Sequence, residues 1–398
     1  MTKRTLSQLD VAGKTVLVRV DFNVPIEQGV EAIANYDQRL RATLPTIEYL
    51  LERDCKVVLC SHLGRPRGKV DDDLRLAPVG DRLAVLLNRP VRSFNDCIGP
   101  EVTGAVSDMS AREIVLLENL RFHPGEEKND AGFSSKLASL ADRFVMDAFA
   151  VAHRAHASTV GLPQLLPSAM GLLTQREVES LGLALAEPER PLAALMGGAK
   201  VSDKILVLEN LLSRLDHLFI GGGMAITFLA AIGKSVGASA VEEDRLEFAR
   251  DVLQRAERDG VAVHLPEDVV TADEFAPDPN AVTTRSVDDV PDGWYIMDVG
   301  PETATRYATA LAGCKTILWN GPMGVFEMKR FSTGTRQVAN GIAGQPGVTT
   351  VVGGGSTAEA VESLGLMDHM THVSTGGGAS LEFLEGRELP GIAALPDT

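Results

Sequence analysis

Two lysines four residues apart, Lys200 and Lys204, stand near the middle of the chain. The apolar run 192–196 before them predicts a buried strand, and a glycine pair then permits a tight turn before a predicted helix over 205–212. Side chains four apart share a helix face, and ammonium groups beside a helix N-terminus attract phosphate oxygens. Because no Walker A spacing occurs in the chain, the stretch indicates another kind of phosphate site or a turn with two solvated lysines.

Basic and polar side chains in the first half follow predicted strands directly. They are Asp21, Asn23, His62, Arg65, Arg121, His153, Arg154 and His156. Arg39, on the helix after the first of these loops, can join them. In an open parallel sheet, ligands bind outside the carboxyl ends of the strands, and arginine recognises carboxylate and phosphate with paired hydrogen bonds. One such arginine would be a solvated loop residue, but arginines at three strand ends predict an anion site.

Glycines occupy the corresponding positions in the second half, at 197–198, 221–223, 321, 353–355 and 376–378. Glycine lets backbone N–H groups approach phosphates or an adenine ring closely. One glycine pair is usually a turn, whereas repetition at five strand ends predicts a nucleotide along the sheet edge. The spacing from Gly353 to Ala358 also matches a loose dinucleotide fingerprint, which is weak by itself.

Other site chemistries have less support in the sequence. His153 and His156 are spaced like metal ligands, but no third ligand is evident nearby and Arg154 would repel a cation, so no zinc site is predicted. No G-x-S-x-G nucleophile elbow occurs. An NAD-dependent dehydrogenase using the Gly353 loop stays open, although it lacks a well-placed acid–base residue and ribose carboxylate. A two-lobed anion-binding protein also stays open, but it leaves the glycine loops without a purpose.

Composition limits the partners and the compartment. The formal net charge of −16 argues against nucleic-acid and anionic-membrane partners, because either needs a basic face. The four cysteines include no C-x-x-C pair, which favours buried thiols in a reducing, cytoplasmic compartment. The N-terminus has no apolar segment and no apolar run approaches 18 residues, so we expect neither a signal peptide nor a transmembrane helix.

Predicted strands and helices alternate along the chain, which indicates βαβ units and parallel sheets. A helical stretch over 173–185 ends before Pro188 and Pro191, which mark a domain boundary. The segment 273–293, rich in Asp and Pro, is expected to be an irregular surface excursion. We therefore predict an α/β protein with two doubly wound, Rossmann-like parallel-sheet domains joined by a hinge helix.

Nine motifs, in order over both halves, resemble those of the phosphoglycerate kinase family. They are Val16–Pro25, Asp37–Leu40, Ser61–Pro66, Glu118–Phe122, Ala152–Ser158, Gly197–Lys204, Trp319–Glu327, Gly353–Gly355 and Ser374–Ser380. The resemblance implies a phosphotransferase of glycolysis with a carboxyl group as acceptor. Its reaction is reversible phosphoryl transfer from 1,3-bisphosphoglycerate to Mg-ADP, giving 3-phosphoglycerate and ATP.

The same resemblance implies two sets of binding residues. Those for 3-phosphoglycerate are Asp21, Phe22, Asn23, Arg39, His62, Leu63, Gly64, Arg65, Arg121 and Arg154. Those for ADP or ATP are Lys200, Lys204, Gly221, Gly222, Ile296, Asn320, Glu327, Gly353, Gly354, Gly355 and Ser356, with Glu327 at the ribose.

Two positions depart from the family pattern. Similar proteins usually carry Asp where this chain has Ser356, near the metal-bound phosphates. We therefore expect Mg²⁺ to be held through the nucleotide phosphates, with Ser356 in contact through water, and we assign no certain protein ligand. Many relatives also carry glycine where this chain has Ile296, which narrows or reshapes the adenine wall.

The resemblance also sets the expected domains and mechanism. Residues 1–172 are expected to bind 3-phosphoglycerate, 173–386 to form the hinge helix and the nucleotide domain, and 387–398 to pack back on the first domain. Hinge closure must then bring the ligands together and exclude water. Arg39 and Lys200 are predicted to stabilise the transferring phosphoryl group. No general base is needed because the acceptor carboxylate is ionised at pH 7, and a monomer is expected.

Overall fold

The computed structural model describes residues 3–25 and 30–398, with side chains described outside 30–32. The chain divides into two compact units, Met1–Glu179 with Glu388–Thr398, and Ser180–Arg387. Within the described ranges, no helix combines the length and apolar character needed to cross a membrane. Each unit is built around its own six-stranded sheet.

The first unit contains a fully parallel sheet in the order β3-β4-β2-β1-β5-β6. Its strands are β1 (Thr15–Val20), β2 (Lys56–Cys60), β3 (Arg92–Ser93), β4 (Ile114–Leu116), β5 (Arg143–Asp147) and β6 (Ser168–Met170). The central strand β1 is buried along almost its whole length, as its β-branched, apolar sequence predicts for a strand covered on both faces.

Helices cover this sheet and complete its core. They are α1 (Gln38–Leu51), α2 (Ala77–Leu87), α3 (Pro100–Ser107), α4 (Pro124–Glu127), α5 (Ala131–Ala138), α6 (Leu172–Ala186) and the C-terminal α14 (Pro390–Ala393). Apolar residues of α1 such as Leu40, Ile47 and Leu50 pack in one buried cluster with Val16 and Val18 of β1. The helical period read from the sequence therefore buries the face that it predicts.

The second unit repeats this plan with a parallel sheet in the order β15-β14-β13-β7-β8-β9. Its strands are β7 (Leu192–Met196), β8 (His217–Ile220), β9 (Ala262–His264), β13 (Thr316–Asn320), β14 (Thr349–Gly353) and β15 (His372–Val373). The strand order reverses between β7 and β13, which places a topological switch point at the ends of those two strands. The predicted fold class, two doubly wound parallel-sheet domains, is confirmed.

The helices of the second unit lie between these strands in sequence. They are α7 (Ile205–Leu211), α8 (Gly222–Ala231), α9 (Leu246–Asp259), α10 (Pro301–Leu311), α11 (Thr333–Ile342), α12 (Gly355–Ser363) and α13 (Gly378–Leu384). Helices α10 and α11 pack with β7 and β13 around the buried Trp319 and Tyr307. The core of this unit therefore lies directly beneath the strand ends of the switch point.

The expectation of an irregular excursion over 273–293 is wrong in part. A small antiparallel sheet in the order β11-β10-β12 is formed by β10 (Asp268–Ala272), β11 (Val282–Ser286) and β12 (Tyr295–Val299). The β11 sequence, Val-Thr-Thr-Arg-Ser, is rich in β-branched residues, which favour strands. The Asp and Pro residues around this five-residue stretch led the sequence analysis to predict an irregular segment.

The division between the two compact units falls inside α6, between Glu179 and Ser180. Helix α6 runs without interruption through Glu179 and Ser180, so no break in the chain marks the change. The C-terminal residues are grouped with the first unit. There Lys3 Nζ donates to the carbonyl oxygens of Ala393 and Leu395, at 3.1 and 2.8 Å.

A buried carboxylate fixes the start of α6. Asp147, the last residue of β5, accepts hydrogen bonds from the backbone N–H groups of Leu173 and Thr174 at 2.9 and 3.2 Å. A Cβ on Gly171 would lie 2.2 Å from Asp147 Oδ1, so glycine is needed for this close approach. Burial raises the pKa of Asp147 to about 6, and the carboxyl group is therefore mostly ionised at pH 7.

Replacing Asp147 with Ala is expected to lower the free energy of unfolding by about 1–2 kcal/mol, because two helical N–H groups lose their acceptor. Asp147→Asn retains an amide oxygen and should lose less. Urea unfolding followed by far-ultraviolet circular dichroism gives the measurement. Fluorescence would not suffice, since both tryptophans, Trp294 and Trp319, lie in the second unit. Equal losses in the two variants would contradict the capping role.

Candidate functional site

The loops at the carboxyl edge of the first sheet are joined to one another by hydrogen bonds. Asn23, after β1, accepts from Gly64 N–H at 2.8 Å, and Arg121, after β4, donates to Gly64 O at 2.8 Å. Arg39, the second residue of α1, donates to Asp21, whose other carboxylate oxygen lies 3.8 Å from His62 Nδ1. These contacts bring most of the predicted anion-binding residues into one cluster, which we call the basic cradle.

Two guanidinium groups of the predicted set lie apart from these contacts. Arg65 and Arg154 are exposed, and neither guanidinium makes a hydrogen bond or ion pair with a residue in the described ranges. Arg121, by contrast, has Glu127 Oε1 at 3.5 Å. A planar group with five N–H donors and no protein partner is available to bind a carboxylate or phosphate.

The sequence analysis placed His62 and His156 in a basic set, but these two histidines contribute little positive charge at pH 7. Burial and the neighbouring Arg19 hold the pKa of His62 well below its usual range. Burial and Arg121 similarly lower the pKa of His156 to about 4. Both imidazoles are therefore neutral at pH 7. The arginines carry the positive charge, and the histidines offer only hydrogen bonds.

A buried charge network that the sequence analysis missed supports this edge. Arg19 of β1 is fully buried, donates through Nε to Ser158 Oγ at 2.8 Å, and lies 3.2 Å from His62 Nδ1. The same Ser158 donates to Glu126 Oε1 at 2.5 Å. Glu126 is also fully buried, and burial raises the pKa of its carboxyl group. The signal was present in the sequence as a single arginine within the apolar strand β1.

Phe22 and Leu63, also in the predicted set, are buried in the core of the first unit. The Phe22 N–H donates to Ser61 Oγ at 2.9 Å. Both backbone groups of Leu63 bond to the Asn119 side chain, at 3.2 and 2.7 Å. The geometry gives Phe22 and Leu63 a part in shaping the loops, while the polar groups of their neighbours face the cradle.

A cleft of about 740 Å³ opens at the switch point of the second sheet. Of the predicted nucleotide-binding residues, its lining includes Lys200, Lys204, Gly222, Ile296, Glu327 and Ser356. The others, Gly221, Asn320, Gly353, Gly354 and Gly355, are not among the lining residues. One wall is apolar, with Ile296 packed against Leu229 and Val269. A large, partly apolar cleft that also carries lysines suits a nucleotide, whose base is apolar and whose phosphates are anionic.

The two lysines do not share a helix face as predicted. Helix α7 begins at Ile205, so Lys200 lies in the turn before it and is exposed. Lys204 is half-buried and donates to the side-chain oxygen of Asn320. Burial lowers the pKa of Lys204 to about 8, while Asp203 and Glu385 act in the opposite direction. The turn brings both lysines to the cleft by another route.

Several glycines of this unit are needed for packing between loops. A Cβ on Gly197 would lie 2.1 Å from Pro322 O, and one on Gly321, with φ +103°, would lie 2.2 Å from Gly197 O. A Cβ on Gly222, which has φ +60°, would lie 2.7 Å from the backbone nitrogen of Gly198. Backbone hydrogen bonds join the same loops, including Gly198 N–H to Pro322 O at 3.0 Å. These glycines therefore let three loops stack main chain against main chain, a packing role that the sequence analysis did not predict beside the tight turn and the approach of a ligand.

The glycine loop after β14 differs from the others. A Cβ on Gly355 would meet nothing within 4 Å, so this position is open. Ser356 is exposed in the first turn of α12, but the residue at the cap position is Gly354, and no side chain caps the helix. The Ser356 hydroxyl group therefore does not cap α12, and Ser356 lines the cleft.

Asp298, at the end of β12, is a cleft residue that the sequence analysis did not select. Its carboxylate accepts from the backbone N–H groups of Gly334 and Val299, at 2.7 and 2.9 Å. Burial raises its pKa to about 7 in spite of these two bonds. The cleft wall therefore gains a negative charge near neutral pH. Nothing in the local sequence distinguishes this aspartate from a surface residue.

No zinc site was predicted at His153 and His156. Among the residues that the structure describes, neither histidine belongs to a group of three potential metal ligands. His156 instead lies 3.8 Å from Glu126 Oε1. All four cysteines are buried free thiols, as predicted.

Comparisons with known proteins agree with this geometry. The sequence model of the phosphoglycerate kinase family matches residues 6–387. Relatives named phosphoglycerate kinase include those of Moorella thermoacetica and Synechococcus elongatus, 56% and 53% identical over 398 and 403 residues, with 100% of each chain covered. Solved phosphoglycerate kinases from Coxiella burnetii and Pyrococcus horikoshii OT3 match with TM-scores of 0.87 and 0.85, at 41% and 33% identity over 98% of each chain. With the same fold, the same motifs and this identity over its whole length, the chain belongs to the phosphoglycerate kinase family, the phosphotransferases of glycolysis.

Proposed function

We propose that the basic cradle of the first unit binds 3-phosphoglycerate and that the cleft of the second unit binds ADP or ATP. Phosphoryl transfer from 1,3-bisphosphoglycerate to ADP then proceeds between the two. The observation that carries this assignment is the pair of unpartnered guanidinium groups, Arg65 and Arg154, at the sheet edge of a strongly acidic chain. The ligand of such a site is a compact anion with several oxygen acceptors.

Within the cradle, we propose that Arg39 acts on the reacting group. It is paired with Asp21, so an anion at the reacting position would have to compete with this carboxylate for the guanidinium. Arg65, Arg121 and Arg154 would hold the opposite end of the substrate. Because His62 is neutral at pH 7, it would donate or accept a single hydrogen bond and would not neutralise charge.

In the cleft, the apolar wall that includes Ile296 would contact the base, and Lys200 and Lys204 would contact the phosphates. A Mg²⁺ ion bound with the nucleotide would neutralise phosphate charge. The cleft suits an ion that keeps most of its water, since the Ser356 hydroxyl offers it only a neutral oxygen. Ser356 would contact the ion through water, and Glu327 would accept from the ribose hydroxyls.

The proposed mechanism assigns little covalent chemistry to the protein. Arg39 and Lys200 would stabilise charge on the transferring phosphoryl group, and closure of the two units about α6 would align the ligands and exclude water. The acceptor carboxylate is already ionised, so no side chain needs to remove a proton. We also propose that the protein acts as a monomer in the cytoplasm, in keeping with its four free thiols.

A coupled assay tests the activity directly. Purified protein with Mg-ATP and 3-phosphoglycerate should form 1,3-bisphosphoglycerate, which a coupling dehydrogenase converts with oxidation of NADH. Omitting ATP while 3-phosphoglycerate, NADH and the coupling dehydrogenase are present should abolish NADH oxidation, which separates the proposal from a dehydrogenase. Mg-ADP should also raise the melting temperature, whereas NAD should not. Failure to phosphorylate 3-phosphoglycerate in the presence of folded protein would overturn the proposed function.

Arg39→Ala is expected to lower kcat by roughly 100-fold or more, with a much smaller effect on the affinity for 3-phosphoglycerate, because its contact develops in the transition state. Lys200→Ala should behave similarly. Steady-state kinetics with calorimetric binding of 3-phosphoglycerate gives both quantities. Arg89→Ala, which removes an exposed arginine after α2, is the control and should change neither. A raised KM with unchanged kcat would show that Arg39 only holds the substrate.

The affinity for ADP is expected to fall as pH rises through about 8, because Lys204 then loses the charge that contacts phosphate. Lys204→Arg, which stays protonated, should remove this fall. Asp298 ionises near pH 7 and repels phosphate as well, so Asp298→Asn should remove an earlier and separate part of the decline. Calorimetric titrations from pH 6 to pH 9 distinguish the two. A decline near pH 8 that persists in Lys204→Arg would contradict the assignment.

Ser356→Asp is expected to tighten binding of Mg-ADP severalfold, since a carboxylate is a stronger Mg²⁺ ligand than a hydroxyl. It should weaken binding of metal-free ADP, because the added charge repels phosphate. ADP titrations of both forms with and without Mg²⁺ give the comparison. Ser363→Asp, at the other end of α12, adds the same charge away from the cleft and should leave both affinities unchanged. Equal shifts with and without metal would show that position 356 does not sense Mg²⁺.

A further inference from the structure

Three potential metal ligands from two separate loops meet in the first unit, outside the basic cradle. Asp96 and Cys97 follow β3, and His123 follows the turn that carries Arg121. One ligand atom from each residue lies within 4.8 Å of the others. In the described part of the chain, this is the one group of three such residues.

Each of these side chains is held in position by its surroundings. Asp96 Oδ1 accepts from Cys97 N–H at 2.6 Å and lies 2.7 Å from His123 Nε2. The imidazole ring of His123 stacks on Phe133, with ring centroids 5.2 Å apart. The imidazole nitrogen and the carboxylate oxygen are thus held close together, in direct contact with each other.

The thiol of Cys97 is the observation that points to a metal. Cys55 and Cys314 donate their S–H groups to the backbone oxygens of Val11 and Ala310. Cys97 is completely buried, and its Sγ, like that of Cys60, has no hydrogen-bond partner among the described residues, but only Cys97 lies beside an imidazole nitrogen and a carboxylate oxygen. Its side chain instead takes part in the group with Asp96 and His123. A sulfur atom without a partner at the base of a pair of polar ligands is suited to a soft cation.

We propose that Asp96, Cys97 and His123 form a binding site for a thiophilic divalent cation such as Zn²⁺. Tetrahedral zinc holds sulfur, nitrogen and oxygen ligands about 3.3–3.6 Å from one another. Each pair of ligand atoms here lies within 4.8 Å, with Asp96 Oδ1 and His123 Nε2 at 2.7 Å, so side-chain movements of roughly 1 Å bring the three atoms to these spacings. The side chains of Asp96 and His123 are 51% and 30% exposed, so the ion enters from solvent and a water molecule completes its coordination.

Binding at this site involves a defined exchange of bonds and protons. The S–H bond of Cys97 breaks, its proton passes to solvent, and the thiolate forms a bond to the metal without any oxidation or reduction. The Nε2–H of His123 that donates to Asp96 gives up its proton to solvent while Nδ1 takes one up, so the ring stays neutral, and the hydrogen bond is replaced by metal bonds from Nε2 and from the Asp96 carboxylate. Because a thiolate is present, the site should select Zn²⁺ or Co²⁺ over Mg²⁺, which prefers oxygen.

Cobalt titration of the full-length protein tests the proposal. Co²⁺ bound by a thiolate gives a strong near-ultraviolet charge-transfer band, so we expect such a band to saturate at one equivalent. Zn²⁺ should abolish it, because it binds the same ligands more tightly, and excess Mg²⁺ should not. No band from the folded protein at millimolar Co²⁺ would overturn the site. That result would mean that the Asp96–His123 hydrogen bond only braces the loop.

Variants identify the ligands. Cys97→Ser should remove the band and weaken zinc binding by roughly 10-fold or more, whereas Cys314→Ser, a buried thiol in the second unit, should leave both unchanged. His123→Gln changes a partly exposed residue and should weaken zinc binding to a similar extent, so the test does not depend on the folding of Cys97→Ser. Persistence of the band in Cys97→Ser, or an unchanged zinc affinity in either Cys97→Ser or His123→Gln, would overturn the proposal.

Discussion

Parallel pairing of strands is the constraint on which the rest of the molecule depends. In both six-stranded sheets, every strand delivers its carboxyl end to the same edge, and each following loop must turn there. Residues far apart in sequence, such as Asn23 and Gly64 in one unit or Gly197 and Gly321 in the other, are therefore close in space. The cradle and the cleft therefore form where the carboxyl ends of the strands converge.

The sequence predicted the parts of the fold and site that depend on local pattern. Alternating apolar runs and helical periods located the strands and helices, and the polar residues after each strand identified one edge of each sheet. What escaped prediction depends on contacts between distant segments. Asp147 caps a helix that begins 25 residues later. The raised pKa of Asp298 results from its burial, which no local sequence motif predicts. The small antiparallel sheet was missed because composition outweighed a five-residue pattern.

Charge at the site follows the same distinction. Residue types alone suggested that His62 and His156 would add to a basic set, but the fully buried Arg19 and the surrounding low-polarity interior keep both imidazoles neutral. Arg19 is itself compensated by Glu126 through the shared Ser158 hydroxyl. A buried pair of this kind is strongly destabilised if one partner is removed, because the other charge remains without compensation. The Arg19–Ser158–Glu126 network that supports the cradle is therefore destabilised if either charged residue is replaced alone.

The stacked glycine loops beside the cleft restrict how this protein can change. At Gly197, Gly222 and Gly321 any side chain would meet the main chain of a neighbouring loop, so a substitution at one loop displaces another. These three glycine positions therefore tolerate almost no single substitution. The positions whose side chains line the cleft, such as Ile296 and Ser356, are free to change. New ligand preferences in this scaffold should therefore arise from substitutions at the lining side chains, while the three glycines stay unchanged.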